Sequence, residues 1–333
     1  MPERSIPALT GRSIHCILFD LGDTLWSRSD APAWQRLETT ANLRAVALLR
    51  KYVAPQSLPA LDDVALGQQL RDALHEQVGT IIRRDPKIEP NGPLTVLQVL
   101  TQWGIEGLDN ATGAAIFEAL RIHIHGSRQI FDDVYSTLAA LQERGFLLGI
   151  VSNRIWGGSP FLEDLQTLGL LNYFDPQHIA ISGDLGVRKP DPAIFLHVLN
   201  ALNLEPEHVV MVGDSLLADI LGAQKLGIFA IWKPKPGQRE LVNAHLIAQN
   251  APTAATISTH PVHQAHHFSG LSIGNRPADL PPGMHVTDDD YVLAKMRSHD
   301  GKLAPFMRGE IKPDLIIEHL SELLDIFTKA GEQ

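Results

Sequence analysis

Short apolar runs recur along the chain, and amphipathic stretches with helical spacing separate them. Apolar runs without polar alternation are typical of strands that are buried on both faces of a sheet. The predicted strands are at 14–19, 147–151, 178–181, 208–212 and 228–232, and the helices predicted between them are at 132–144, 160–168, 191–201 and 216–226. This alternation predicts right-handed crossovers and therefore an α/β fold with a parallel sheet.

A block of helices interrupts this alternation after the first strand. Its amphipathic stretches are at 33–53, 62–84, 94–103 and 112–123. In the second stretch, apolar residues recur at the spacing of one helix face, at Leu66, Leu70, Leu74, Val78 and Ile81. We therefore assign residues 27–128 to a helical insertion, and residues 12–26, 129–236 and 312–328 to the α/β core.

Residues 237–311 match this pattern least well. They separate the last predicted strand from a helix predicted at 313–327, and they contain His260, His263, His266 and His267. Imidazole is a common metal ligand, so a second metal site is one interpretation. A solvated loop is the simpler one, because no cysteine lies nearby and Pro261 interrupts any helical face. A dimer contact or an additional wall over a pocket are further roles, so the function of this insertion and the formation of a homodimer stay open.

Composition narrows the classes of protein that fit. The chain has 333 residues with 44% hydrophobic residues, enough for a large core, and a formal net charge of −10. The negative charge argues against a nucleic-acid or anionic-membrane partner. No apolar run is long enough for a membrane helix, and Met1 to Arg12 lack the apolar core of a signal peptide. With Cys16 as the single cysteine, we expect a cytoplasmic protein without internal disulfides.

Polar side chains stand where three of the predicted strands end, and ligand sites of open α/β sheets lie at such ends. Asp20, Ser152 and Asp214 hold these positions. Lys189 lies in a proline-bounded loop, and Asp219 follows five residues after Asp214. Together they comprise a nucleophilic carboxylate, oxygen ligands for a hard cation, and donors for phosphoryl oxygens. This combination indicates phosphoryl transfer with Mg²⁺.

Four segments carry a resemblance to a known family. They read FDLGDT at 19–24, VSN at 151–153, VRKPDP at 187–192 and GDSLLAD at 213–219. In order and spacing they resemble the four motifs of the haloacid dehalogenase (HAD) superfamily, and the form of the last motif favours its phosphatase branch. The resemblance covers about residues 12–235 and the final predicted helix. It implies a Rossmann-like core with an α-helical cap, formed by residues 27–128, between the first two motifs.

The resemblance also implies roles for the site residues. Asp20 would attack the phosphorus atom of a small phosphorylated metabolite, and water would then hydrolyse the aspartyl-phosphate. Ser152, the backbone of Asn153 and Lys189 would bind the phosphoryl group. Mg²⁺ would be held by Asp20, the Gly22 carbonyl, Asp214 and Asp219, where pairing with Lys189 is the alternative role for Asp219.

The first motif departs from the family pattern at Gly22. The family usually has a second aspartate there, which acts as general acid and base. Asp23 is not a simple replacement, because adjacent side chains of an extended segment point in different directions. A slow phosphatase, a preference for good leaving groups, a water in place of the acid, and an inactive binding or regulatory relative are all consistent with Gly22. A metal-independent dehalogenase is disfavoured, because two further acids near a nucleophile imply a cation.

Overall fold

Eight strands are present in the computed structural model, which describes residues 9–28, 30–250 and 303–331. They are β1 Cys16–Phe19, β2 Trp26–Arg28, β3 Arg128–Ile130, β4 Leu147–Ser152, β5 Ile179–Ile181, β6 Val209–Gly213, β7 Phe229–Trp232 and β8 Leu315–Ile316. Six of them form one parallel sheet in the order β5-β4-β1-β6-β7-β8, and β2 pairs antiparallel with β3. The predicted α/β fold with a Rossmann-like parallel sheet is confirmed.

The helices surround this sheet and form the inserted block. They are α1 Ala31–Tyr52, α2 Asp63–Arg84, α3 Gly92–Gln102, α4 Asn110–Ala119, α5 Val134–Glu143, α6 Gly158–Thr167, α7 Ser182–Leu185, α8 Pro192–Leu202, α9 Gly222–Gln224 and α10 Arg239–Asn250. A π-helical segment covers Leu216–Leu221, and 3-10 turns cover Pro55–Ser57, Leu170–Asn172, Pro176–His178, Pro206–His208, Pro236–Gln238 and Leu320–Asp325. None of the described helices has both the length and the apolar character needed to cross a bilayer.

The central strand β1 shows why the sheet is buried on both faces. Ile17 and Phe19 pack in one hydrophobic cluster and Cys16 and Leu18 in the other, because successive side chains of a strand point to opposite faces. The chain adds β4 and β5 on one side of β1 and then β6, β7 and β8 on the other. The order of strands therefore reverses next to β1. In open α/β sheets, the crevice at the carboxyl ends of the strands beside such a reversal is the usual ligand site.

The four helices predicted within residues 27–128 are confirmed as α1 to α4. They pack around a hydrophobic cluster of their own, and Asp30 and Asp62 cap the first two helices by accepting hydrogen bonds from Ala33 N and Ala65 N. The antiparallel pair β2–β3 lies where the chain leaves the core for this block and returns from it. The role of the block as a cap, and the domain boundaries, stay predictions.

The prediction of a helix at 313–327 is wrong. Leu315 and Ile316 instead form β8, which pairs with β7 at the edge of the sheet, and a 3-10 turn follows at Leu320–Asp325. Apolar spacing alone does not separate a short edge strand from a helix. Packing against the core selects the strand, because the open edge of β7 supplies backbone hydrogen bonds to Leu315 and Ile316. Arg144 then holds the following turn by donating to the Leu324 and Phe327 carbonyl oxygens at 2.6 and 2.8 Å. The helix predicted at 216–226 is likewise divided into the π-helical segment and α9.

The described ends of the 237–311 segment pack on the core. Leu241 and Val242 of α10, together with Leu303, Phe306 and Ile311, belong to the same buried cluster as one face of the sheet. The ring centroid of Phe306 lies 4.8 Å from that of Trp232. The four histidines at 260–267 lie outside the described residues.

The C-terminal turn is expected to contribute to the stability of the core. Leu323 is fully buried against the first hydrophobic cluster, so Leu323→Ala should lower the free energy of unfolding by about 2–5 kcal/mol. Urea unfolding would measure this change, with Ser321→Ala as the control because that side chain is exposed in the same turn. Equal stabilities of the two variants would contradict the placement of this turn in the core.

Candidate active site

A cavity of about 410 Å³ opens at the carboxyl ends of the central strands. The structure brings all seven residues predicted from the sequence to its wall: Asp20, Gly22, Ser152, Asn153, Lys189, Asp214 and Asp219. They come from four separate segments, and the parallel sheet places the ends of β1, β4 and β6 side by side.

Asp20 follows β1 and is 8% exposed. Its amide continues the ladder by donating to the Val212 carbonyl oxygen at 2.9 Å, which fixes the backbone at the strand end. Its Oδ1 accepts hydrogen bonds from Ser152 Oγ at 3.1 Å and from Lys189 Nζ at 2.6 Å. Among the described residues none donates to Oδ2, so one carboxylate oxygen is positioned by the protein and the other is left for a ligand.

Lys189 is the most buried cation of the cavity. Its Nζ lies 2.6 Å from Asp20 Oδ1, 2.6 Å from Asp219 Oδ1 and 2.5 Å from the Val151 carbonyl oxygen. Burial lowers the pKa of this ammonium, but Asp20 and Asp219 outweigh that effect and hold the pKa above its usual value. Lys189 is therefore charged, and it links two carboxylates that would otherwise repel each other.

The Asn153 side chain fixes the loop that carries Lys189. Its Nδ2 donates to the Lys189 carbonyl oxygen at 2.9 Å, and its Oδ1 accepts from the Lys189 amide at 2.8 Å. The sequence predicted only a backbone role for Asn153, which stays a prediction. The side-chain role was missed because it depends on a loop 36 residues away.

The helical block holds the same loop from the other side. Arg188 N donates to the Lys87 carbonyl oxygen at 2.8 Å, and Glu89 N donates to the Gly186 carbonyl oxygen at 3.0 Å. The buried Glu89 carboxylate also lies 2.8 Å from Arg188. The loop between α2 and α3 is thus attached to the residues that immediately precede Lys189.

The carboxylates of Asp214 and Asp219 complete the site beside β6. Asp219 Oδ2 accepts from Ser215 N at 2.8 Å, and a Cβ at Gly213 would lie 2.3 Å from the Asp219 carboxyl carbon. Glycine therefore permits this close approach. Burial, followed by repulsion from Asp20 and Asp219, raises the pKa of Asp214 to about 7, and burial likewise raises the pKa of Asp219.

Lys235 is a site residue that the sequence reasoning missed. Its Nζ lies 3.0 Å from Asp214 Oδ2 and also forms an ion pair with the Asp23 carboxylate. Burial lowers the pKa of Lys235, but Asp214 and Asp23 outweigh it, and the pKa lies above its usual value. Asp23, whose φ of 57° is left-handed, thus reaches the cavity but is paired with a lysine. Its position in the sequence could have indicated a place in the site, because Lys235 lies three residues beyond the end of the strand β7.

The residues present fit a hard divalent cation. Ligand oxygens of Asp20, Asp214 and Asp219 all lie within 4.8 Å of one another. Two ammonium groups, Lys189 and Lys235, face four carboxylates, those of Asp20, Asp23, Asp214 and Asp219, so the cluster carries an excess negative charge. Burial and, after it, repulsion from Asp20 and Asp219 raise the pKa of Asp214. An all-oxygen donor set is the kind that Mg²⁺ prefers.

Comparison with known proteins identifies the family to which the chain belongs. The family model of the haloacid dehalogenase-like hydrolases matches residues 14–227. The chain is 39% identical over 98 residues to a glyceraldehyde 3-phosphate phosphatase of Pyrococcus furiosus, which covers 29% of this chain and 38% of the relative. It is 35% identical over 105 residues to a phosphoserine phosphatase of Thermus thermophilus, which covers 31% of this chain and 40% of the relative.

These curated relatives are matched over only about two fifths of their length. A solved structure of a 2-haloacid dehalogenase from Pseudomonas syringae is 29% identical, with a TM-score of 0.42, and the match covers 66% of this chain and 86% of that one. The family model, in contrast, spans the four motifs, the helical block and most of the sheet. The chain therefore belongs to the haloacid dehalogenase-like hydrolase family.

Proposed function

We propose that this protein is a phosphatase that hydrolyses a small phosphate monoester with the help of Mg²⁺ through an aspartyl-phosphate on Asp20. The observation that carries the proposal is the state of the Asp20 carboxylate. Ser152 and Lys189 bind its Oδ1, while Oδ2 has no donor among the described residues. A carboxylate that is oriented through one oxygen and paired with a buried ammonium is positioned for nucleophilic attack.

In the first step, Asp20 attacks phosphorus, the new carboxylate–phosphorus bond forms, and the bond to the leaving oxygen breaks. Water then cleaves the aspartyl-phosphate and regenerates the carboxylate. Lys189 and Ser152 stabilise the negative charge on the phosphoryl oxygens and keep Asp20 oriented. Asp20, Asp214, Asp219 and the Gly22 carbonyl would hold Mg²⁺, which would supply further neutralisation of phosphoryl charge.

Proton transfer to the leaving group is the step that differs from the usual family pattern. The position of the family's general acid is Gly22, and the neighbouring Asp23 is engaged by Lys235. The enzyme therefore depends on water at this step, and it favours esters whose leaving group is stable without a proton. General acid catalysis is typically worth about 10²–10⁴-fold in rate.

The cavity supports a small substrate. Its volume of about 410 Å³ suits a phosphorylated metabolite of a few carbon atoms. The two curated relatives are named for glyceraldehyde 3-phosphate and phosphoserine, which are of this size class. Leu303 and Gln238 also line the cavity, which favours the role of an additional wall for the 237–311 segment. The helical block, attached to the Lys189 loop, acts as the cap that excludes water and selects the substrate.

The Asp20→Asn variant should lose turnover of aryl and alkyl phosphates, because the amide is a poor nucleophile. Phosphate release, measured with Mg²⁺ and with a chelator, would test this prediction, and circular dichroism would confirm the fold. Asp184→Asn, an exposed aspartate on α7, serves as the control. Substantial turnover by Asp20→Asn would rule out Asp20 as the nucleophile. Turnover of 2-haloacids that survives the chelator would instead support the dehalogenase alternative.

The Gly22→Asp variant should restore proton donation. A Cβ at Gly22 would have no neighbouring atom within 4 Å, so the new side chain has room. Hydrolysis of alkyl phosphates, which have poor leaving groups, should increase more than hydrolysis of aryl phosphates. The ratio of the two kcat/KM values measures the effect, and Gly22→Asn is the isosteric control without the acid. An equal change for both substrate types would contradict a missing general acid.

The Asp214→Asn variant should be more stable than the wild type at high pH when no metal is present. The pKa of Asp214 is higher in the folded protein than in the unfolded chain, so its ionisation lowers stability as pH rises from about 4 to above 7. In the absence of metal, Asp214→Asn should therefore raise Tm by roughly a few degrees at about pH 8, and by less at about pH 5.

Mg²⁺ should raise the Tm of the wild type at about pH 8, and the variant should lose most of this increase. Thermal unfolding with and without Mg²⁺ gives both results, with Glu143→Gln, an exposed acid at the end of α5, as the control. An unchanged Mg²⁺ response in Asp214→Asn would remove Asp214 from the metal site.

A further inference from the structure

A second cluster of metal-binding side chains lies away from the cavity, where the helical block returns to the core. His123 and His125 stand between the end of α4 and the start of β3, and Asp164 lies on α6 of the core. None of the three belongs to the four family motifs or lines the cavity described above.

The geometry of this cluster brings three ligand atoms together. His123 Nδ1 lies 3.1 Å and His125 Nδ1 lies 2.8 Å from Asp164 Oδ1, and the three atoms are all within 4.8 Å of one another. The imidazoles are 43% and 48% exposed, whereas the Asp164 side chain is only 2% exposed. An ion from solvent thus has access from the histidine side, and the carboxylate forms the inner wall.

The Asp164 carboxylate is oriented before any ligand binds. Its Oδ2 accepts a hydrogen bond from the buried amide of Ile124 at 2.9 Å, which turns Oδ1 toward both imidazoles. Such backbone contacts to a ligating carboxylate are the usual means by which a protein positions a metal ligand.

We propose that His123, His125 and Asp164 form a Zn²⁺ site in which water completes the coordination. Two imidazole nitrogens and one carboxylate oxygen with an open position are a donor set suited to Zn²⁺. The all-oxygen cluster of the cavity favours Mg²⁺ instead, so the two sites differ in metal preference. Both imidazoles would bind the metal through Nδ1, the atom that faces Asp164 Oδ1 in each of them.

The proposed Zn²⁺ site would join the helical block to the core. Ile124 and its two flanking histidines belong to the chain that connects α4 to β3, and Asp164 belongs to the core. Bound Zn²⁺ would therefore fasten the return of the helical block to α6 at one end, while the Lys87–Glu89 segment fastens the block to the Lys189 loop at the other.

Direct metal binding to the full-length protein tests this proposal. Isothermal titration with Zn²⁺ in excess Mg²⁺ measures affinity and stoichiometry, and Co²⁺ substitution reports tetrahedral nitrogen–oxygen coordination through its visible absorption. The double variant His123→Ala/His125→Ala should lose one equivalent of Zn²⁺, with affinity falling by about 100-fold or more, since two ligands are removed. These side chains are exposed, so the variant should fold, which circular dichroism would verify.

Two controls attribute the lost equivalent to this cluster. The first control, His197→Ala, removes an exposed histidine on α8. The second control replaces four histidines of the 237–311 segment with alanine: His260, His263, His266 and His267. Both controls should retain the Zn²⁺ equivalent and the Co²⁺ spectrum that the double variant loses. Unchanged Zn²⁺ stoichiometry and affinity in the double variant, or loss of the same equivalent in either control, would overturn the proposal.

Discussion

The ion pairs of Lys189 connect segments that are distant from one another in the sequence. One buried ammonium contacts the carboxylates that follow β1 and β6, together with a carbonyl oxygen of β4. Removing one partner from such a buried group leaves an uncompensated charge, which typically costs about 3–5 kcal/mol. The loop that carries Lys189 must therefore be placed accurately, and much of the surrounding structure contributes to its placement.

Two independent sets of contacts position this loop. Asn153, at the end of β4, binds the backbone of Lys189 in both directions. The helical block binds the preceding residues through backbone hydrogen bonds and through the buried pair of Glu89 and Arg188. A movement of the block away from the core would act directly on the residues next to Lys189. The position of the helical block and the placement of Lys189 beside Asp20 are thus linked through one loop.

Negative charge is the second constraint on the site. Lys189 compensates Asp20 and Asp219, and Lys235 compensates Asp214 and Asp23, yet the pKa of Asp214 is still raised. A divalent cation is the natural complement of such a cluster. In the proposed mechanism, the ion pair with Lys235 keeps Asp23 from acting in place of the acid that the family usually has at position 22. Its carboxylate is directed into an ion pair instead of being presented for proton transfer.

The local sequence predicted five of the six strands of the parallel sheet, most helices, and the seven residues that the structure places on the wall of the cavity. Each buried strand is a short apolar run, and the chemistry of Asp20, Ser152 and Asp214 follows directly at the strand ends. Parallel pairing then places these ends together, so the proximity of these residues was predictable from the pattern alone. Resemblance to the family motifs added the expected roles and identified Gly22 as a departure.

The tertiary structure decided the features that depend on partners distant in the chain. The segment at 313–327 has an apolar pattern compatible with a helix, but the free edge of β7 converts Leu315 and Ile316 into a strand. The Asn153 side chain binds the Lys189 loop, and Lys235 pairs with Asp214, only because segments distant in the sequence meet there. The convergence of His123 and His125 on Asp164 is likewise invisible in sequence, since 39 residues separate His125 from that carboxylate. Local spacing encodes the backbone elements, whereas these contacts exist only once the elements have packed.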